Sequence, residues 1–224
     1  MLWMLAGIAA LIGYLVGSFP AGYLAGRLCG RDLRREGSGN VGATNALRVL
    51  GKGWGYVVFA FDFLKGFVGV KAAFLLAAVG NLLDPSTRSL LGVAGAIGAV
   101  LGHNFPVWLS FQGGKGISTS AGVMLALFPP AVFIAGLITW VAFFFLTRYV
   151  SVASLASAAS LPLSAWGLHA LGRCDIVLAV AATLLCVLAF WRHRPNIVRL
   201  LNGTEKRFER RKTSPPPPRE TAAP

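Results

Sequence analysis

The sequence predicts an all-α, polytopic membrane protein with seven transmembrane helices, its N-terminus outside and its C-terminus inside. Three observations lead there. Hydrophobic residues make up 55% of the 224 residues and charged residues only 13%, roughly half the charged share of an ordinary soluble domain. Six charge-poor stretches, most of them near the length a helix needs to cross the hydrocarbon layer, follow one another along the chain. The 21 Lys and Arg residues segregate into alternate connections between them. This composition excludes a disordered chain, a collagen, a coiled coil and an ordinary soluble enzyme for most of the length.

Residues 2–26 carry no Asp, Glu, Lys or Arg. They lack a basic start and are too long for the apolar part of a secretory signal, so they read as the first span. Residues 27–52 hold six bases. Residues 53–80 form the second span, interrupted by Asp62, Lys65 and Lys71. Asp62 and Lys65 stand three apart and share a helix face. Charges at membrane depth turn toward the bundle interior, so this pair reads either as a structural ion pair or as part of a polar site. Residues 89–114 form the third span.

Residues 116–147 are 32 residues without a charge, with Pro129-Pro130 near the middle. They make one long bent span or two short ones. Charge bias separates the two. With two spans, 17 of the 21 Lys and Arg fall on one side; with one, the six-base loop and the nine-base end of the chain face opposite sides. The basic excess belongs to the cytoplasm, which selects two spans. Residues 149–172 and 176–191 complete the seven.

Residues 1–207 then read as a single integral-membrane domain. Residues 208–224, basic and Pro-rich, read as a disordered cytoplasmic tail, either a solvated flag of the inner side or in weak contact with anionic lipid headgroups. The net charge of +13 would point to nucleic acid in a soluble protein. Here the membrane accounts for it, no nucleic-acid module is present and no nucleic-acid partner is expected. Cys29, Cys174 and Cys186 have no C-x-x-C spacing, which argues against a zinc ribbon, an iron–sulfur site or a disulfide framework.

The inward connections are richer in Gly, Ser, Thr and Asn than a plain connector requires. In Glu36-Gly-Ser-Gly-Asn-Val-Gly-Ala-Thr-Asn-Ala-Leu-Arg48 the glycines let successive N–H groups converge on an anion. Ser38, Thr44 and Asn45 add donors and Arg48 adds charge. The alternative is a tight turn with Thr44 or Asn45 as the cap of the next helix. In Gly113-Gly114-Lys115-Gly116, followed by Ser118 and Thr119, a lysine and two hydroxyls stand at a helix start, where phosphate binds well. It is not a nucleotide-hydrolysing loop, because Leu109 and Gly116 replace the glycine and the hydroxyl that such a loop needs. The third stretch, from Trp191 through His193, Arg194 and Asn196 to Glu205, leaves the last span, and Arg148-Tyr-Val-Ser-Val-Ala-Ser154 lies on the same side, adding Ser151 and Ser154. His193 beside Arg194 is expected to stay neutral. Carboxylates are scarce, so the site suits a phosphate anion rather than a divalent metal.

On these residues the chain resembles the bacterial acyl-phosphate:glycerol-3-phosphate acyltransferases, the PlsY family. The segments are Gly37-Ser-Gly-Asn-Val-Gly-Ala-Thr-Asn45, Gly102-His-Asn-Phe with Gly113-Gly-Lys-Gly-Ile-Ser-Thr119, and His193-Arg-Pro-Asn-Ile-Val-Arg-Leu with Gly203-Thr-Glu205. Asp62-Phe-Leu-Lys-Gly66 is similar too. The resemblance runs in order from residue 1 to about residue 207. Gln112 departs from it, standing where the family usually has Lys.

The resemblance implies a seven-helix enzyme of the inner membrane with its active site toward the cytoplasm. It would move a fatty acyl group from acyl phosphate to the 1-hydroxyl of glycerol 3-phosphate, giving lysophosphatidic acid and phosphate, with neither cofactor nor metal. Ser38, Arg48 and Lys115 would bind phosphate. Ser151, His193 and Asn196 would hold glycerol 3-phosphate or the carbonyl oxygen. Gly39, Asn40, Gly42, Thr44, Asn45, His103, Gly113, Gly114, Gly116, Ser118, Thr119 and Arg194 would complete the substrate site. No His-x4-Asp pattern occurs. The leaving phosphate is one acceptor for the hydroxyl proton and His193 is the rival base. Without the resemblance, a secondary transporter of an organic phosphate also fits. The absence of a visible inverted repeat and the crowding of donors on one face count against it.

Overall fold

The computed structural model describes residues 1–82 and 84–208, and among them it is all-helical, with no strand. The helices are α1 (Leu2–Gly17), α2 (Ala21–Leu28), α3 (Ala43–Leu50), α4 (Lys52–Val79), α5 (Pro85–Asn104), α6 (Ile117–Leu127), α7 (Pro130–Thr147), α8 (Val150–Ala170), α9 (Ile176–Arg192) and α10 (Arg194–Leu201), with a 3-10 turn at Val107–Leu109.

Helix starts follow from local chemistry. Asp84 accepts from the Thr87 N–H at 2.9 Å, and Pro85 takes the first helical position of α5, where its missing N–H costs nothing. Asp175 caps α9 through the Val177 N–H at 2.9 Å. The chain breaks between Leu127 and Pro130, so residues 116–147 form two helices rather than one long bent one.

α1 and α5 approach closely because glycines line the seam. A β-carbon at Gly17 would run into the Ala99 backbone, and one at Gly102 into the Tyr14 carbonyl. Small residues at helical spacing are how membrane helices gain dispersion contact without a hydrophobic drive. The core between α4, α5, α6, α8 and α9 gathers Val70, Val100, Val123, Leu161 and Leu185. A smaller cluster of Ala25, Leu33, Ala46 and Val58 holds α2 and α3 against α4.

Large apolar side chains also face outward, among them Trp3, Leu75, Ile138, Phe145, Leu163 and Val187, which suits lipid rather than water. Four stretches are long and apolar enough to cross a membrane: Leu2–Leu28, Pro85–Leu109, Pro130–Thr147 and Val150–Ala170. α9 and α10, bent by 56°, make a fifth when taken together. α4 is long but charged, and α6 has only 11 residues, about half a bilayer core at 1.5 Å per residue. The tail expected to touch lipid headgroups lies, from residue 209 on, outside the described residues. Of its approach, Lys206 lines the cavity described below and Arg207 stacks over Tyr149 at 5.0 Å.

Candidate active site

A polar cavity of about 350 Å³ opens where α3, α4, α6, α8 and α10 meet. Its first wall is the loop into α3. Gly37 and Gly39 take left-handed φ values of +67° and +72°, which glycine adopts without strain. The buried Asn45 amide donates to the carbonyls of Leu33 and Glu36 at 3.0 Å each and accepts from the Ser38 N–H at 2.8 Å. Any β-carbon on Gly37 would collide with that amide oxygen. Neither Thr44 nor Asn45 caps α3: the cap is Gly42, whose N–H is held by the Asn40 side chain at 2.8 Å. Asn45 is instead the loop's internal brace. Ser38, Asn40, Gly42, Thr44, Asn45 and Arg48 line the cavity, and Gly39 lines a smaller neighbour.

The second wall is the connection into α6. Lys115, Gly116 and Ser118 line the cavity. Gly113 and Gly114 do not reach it. Their N–H groups are spent on the carbonyls of Asn104 and His103, at 3.2 and 3.0 Å. Their own carbonyls accept from the Arg192 guanidinium at 2.7–3.1 Å. They brace Lys115 and offer no anion nest. Thr119 is fully buried and packs on Gly66 of α4, away from the cavity.

The third wall comes from α8, α9 and α10. Ser151, His193 and Asn196 line the cavity and are at most 5% exposed. His193 Nδ1 is 2.8 Å from the Ala189 carbonyl. A carbonyl only accepts, so Nδ1 carries the hydrogen and Nε2 the lone pair of the neutral ring. Lys115 Nζ donates to Asn196 Oδ1 at 2.6 Å, Asn196 Nδ2 to Glu205 Oε1 at 2.7 Å, and Arg199 Nε to Glu205 Oε2 at 2.7 Å. Arg194 lies off the central cavity, stacked 4.7 Å from the Trp191 ring centroid.

The structure adds residues to those read from sequence. Glu205 and Arg199 orient Asn196, and Phe59, Trp140, Thr204 and Lys206 share the lining, beside Ser154 of the Arg148–Ser154 element. The signal for Glu205 and Arg199 was their place inside the third segment. His103 lines the cavity beside Asp62, whose Oδ1 lies 2.8 Å from Lys65 Nζ and 3.4 Å from His103 Nδ1. Both readings of the Asp62–Lys65 pair therefore meet: it is a buried ion pair, and Asp62 is part of the polar wall.

Burial pushes Lys115 down to about 8. Glu205 opposes this, and Arg199, Arg192 and Arg48 add to it. His193 is pushed down to about 4, by burial first and then by Lys115. The expected neutral ring is there, but Lys115 rather than Arg194 is the cation beside it. Burial alone would raise Glu205; hydrogen bonds from Asn196 and Arg199 hold it below the usual carboxylate range. The cavity thus carries Arg48, Lys115, Arg199 and Lys206 against Glu205 and an already paired Asp62. Such an excess favours an anion. Among the described residues no group of three His, Cys, Asp or Glu stands together as a metal site.

An apolar groove of about 270 Å³ continues from this cavity between α4, α6, α7 and α8, lined by Phe63, Met124, Leu137, Val141 and Leu161 among others. The two share Phe59, Ile117, Ser118, Trp140 and Ser154. Together they fit a molecule with an anionic head and an aliphatic chain.

A family model described as Glycerol-3-phosphate acyltransferase matches residues 7–203. The chain belongs to the glycerol-3-phosphate acyltransferase family. The glycerol-3-phosphate acyltransferase of Synechococcus elongatus is 47% identical over 212 residues, covering 90% of this chain and 94% of the relative. That of Desulfotalea psychrophila is 43% identical over 205 residues, covering 91% and 98%. A crystal structure of PlsY (YgiH), an integral membrane glycerol 3-phosphate acyltransferase in its glycerol 3-phosphate form, aligns with a TM-score of 0.77. Its identity is 40%, covering 91% of this chain and 96% of that one. Its lysophosphatidic acid form aligns at 0.75 with 39% identity, covering 91% and 95%. The resemblance read from the three glycine-rich and basic segments is thus borne out at the level of the acyltransferase family, and this member of it is a membrane protein.

Proposed function

We propose that the protein transfers a fatty acyl group from acyl phosphate to the 1-hydroxyl of sn-glycerol 3-phosphate. The products are lysophosphatidic acid and orthophosphate, in the first acylation of bacterial phospholipid synthesis. The chain crosses the inner membrane seven times, and the cavity faces the cytoplasm. One observation carries this reading: a cationic cavity and an apolar groove are continuous, and meet at Ser118, Trp140 and Ser154. The relatives named as glycerol-3-phosphate acyltransferases support it.

The groove takes the acyl chain and the cationic cavity takes the two phosphates. The 1-oxygen of glycerol 3-phosphate attacks the acyl carbonyl carbon. The bond from that carbon to the phosphate oxygen breaks, and its electron pair leaves with the phosphate. The hydroxyl proton passes to the departing phosphate. Acyl phosphate is a mixed anhydride with a good leaving group, so positioning and charge stabilisation do most of the work. Arg48 and Lys115 neutralise phosphate charge, and Ser38 and Ser151 offer hydroxyls. Glu205 orients Asn196, which in turn orients Lys115. His193, at about 4, is a poor base at neutral pH; a phosphate with a second pKa of about 6 is a better one. The ring therefore acts as a hydrogen-bond partner.

The test uses purified protein, labelled glycerol 3-phosphate and acyl phosphate, scored for lysophosphatidic acid. Product from acyl phosphate, with little from acyl-CoA or acyl carrier protein, is expected. Equal turnover with acyl-CoA overturns the donor. Uptake of glycerol 3-phosphate into sealed vesicles without any acyl donor, and no product, overturns the enzyme reading in favour of a carrier.

A further inference from the structure

Beside the central cavity lies a second polar cavity of about 160 Å³. We propose that it is a separate subsite for a phosphate group bearing no acyl chain, and that it receives the orthophosphate released in each turnover. This rests on the reading of the chain as an acyltransferase that uses acyl phosphate.

The position comes first. The second cavity shares Ser38, Asn40, Lys115, Asn196 and Arg199 with the central one, adds Gly39, Trp191, Arg192, Arg194 and Pro195, and has no lining residue in common with the apolar groove. The groove joins the central cavity at Ser118 and Trp140 instead. The order is therefore groove, central cavity, second cavity. A donor whose chain fills the groove puts its phosphate in the middle chamber. The end chamber suits a small anion that has already parted from the chain. Its volume equals about five waters' share of liquid, enough for a tetrahedral oxyanion.

The charge comes next. Four basic side chains, Lys115, Arg192, Arg194 and Arg199, border the second cavity and no carboxylate lines it. Three of them already have work: Arg199 pairs with Glu205, Lys115 donates to Asn196, and Arg192 holds the carbonyls of Gly113 and Gly114. Arg194 is different. It is exposed, lies over Trp191 with its guanidinium carbon 4.7 Å from the ring centroid, and among the described residues has neither a carboxylate partner nor a side-chain hydrogen bond. The contact with the ring holds the guanidinium in place and leaves its N–H groups free to donate to an oxyanion. With Lys115 common to both chambers, a phosphate moving from one to the other never leaves positive potential. Its departure clears the central cavity for the next glycerol 3-phosphate.

The experiment uses the full chain in phosphatidylcholine nanodiscs. Labelled orthophosphate is bound at equilibrium, with and without saturating glycerol 3-phosphate. The two are expected to bind together. Displacement of orthophosphate by glycerol 3-phosphate overturns the separate subsite, and this arm needs no turnover. In the acyl-transfer assay orthophosphate is expected to inhibit without competing against glycerol 3-phosphate. Arg194→Gln is expected to raise its inhibition constant roughly tenfold, and by more than it raises KM for glycerol 3-phosphate. Arg194→Lys recovers part of the loss. An unchanged inhibition constant overturns the role of Arg194. Equal rises in both constants assign the chamber to the phosphate of glycerol 3-phosphate. Weaker orthophosphate binding when phosphatidylglycerol is added assigns it to a lipid headgroup. Failure to make lysophosphatidic acid from acyl phosphate would remove the proposed function, while the binding arm still reports on the chamber.

Discussion

At Lys115 burial acts against the ammonium, Glu205 supports it, and Arg199, Arg192 and Arg48 repel it, leaving its pKa at about 8. The sign is that of a depressed cation: the charge is present below about pH 8 and lost as pH rises through it. An alkaline limb near pH 8 is therefore expected in kcat/KM, and it should disappear in Lys115→Arg, whose guanidinium stays charged. Lys115→Met should lower kcat/KM by about 10²–10³, as for a donor that meets charge developing in the transition state. Arg should recover only part, because a planar fork does not replace a point charge. His193 tests the rival chemistry. His193→Gln should keep turnover within about tenfold, with no acid limb lost between about pH 6 and 7. A base with the pKa of this ring would set its limb near 4. A loss of at least about 10²-fold together with the acid limb would make His193 the base. The sequence disclosed Lys115, His193 and Asn196 because a lone Lys in a Gly loop and a His–Asn pair leaving a span have few structural reasons to exist. It could not disclose that Asn45 is a brace or that Gly113 and Gly114 face Arg192, since both depend on partners 7 to 79 positions away.

Among the elements, the apolar groove is formed by α4, α6, α7 and α8, and Ala121 on α6 is one of its smaller lining residues. Filling that position shortens the space for chain methylenes. Each buried methylene is worth about 0.8 kcal/mol. Ala121→Leu should therefore lower kcat/KM for a long acyl phosphate relative to one about four carbons shorter by roughly tenfold to a hundredfold. A competition assay reading both products measures the ratio directly. An unchanged ratio would mean that the chain lies elsewhere. The groove was not readable in the sequence, because a run such as residues 116–147 is apolar on every side and gives no face. What was readable there was the Pro129-Pro130 break, where proline both lacks the N–H and clashes with the preceding turn. α3 was legible only as the helix that Thr44 or Asn45 would cap; that its face of Ala46, Val49 and Leu50 packs on Trp54 and Val58 of α4 depends on the fold.

For the whole molecule, the proposed orientation rests on charge rather than on packing. With seven crossings, residues 27–52, Lys115, Arg148 and the end of the chain share a side holding 17 of the 21 Lys and Arg, which belongs to the cytoplasm. In the proposed arrangement the three glycine-rich and basic segments face inward and the start of α5 faces out. The length of α6 presses on this arrangement. At 11 residues it spans about half the hydrocarbon layer, so it crosses only if the connection before it or the prolines after it lie within the layer, shielded by protein. Cysteine accessibility decides the matter. Cys29, Cys174 and Cys186 are replaced first. Gln112 and Ser86 are exposed and accept a cysteine. Gly113 does not, because a β-carbon there would strike the His103 carbonyl. A membrane-impermeant maleimide added to spheroplasts should label Ser86→Cys and leave Gln112→Cys untouched until the membrane is opened. Labelling of both from outside would put the two ends of α5 on one face, which no odd number of crossings between them allows. The seven-span arrangement and its inward-facing site would then fall together, while the cavity and its chemistry would stand.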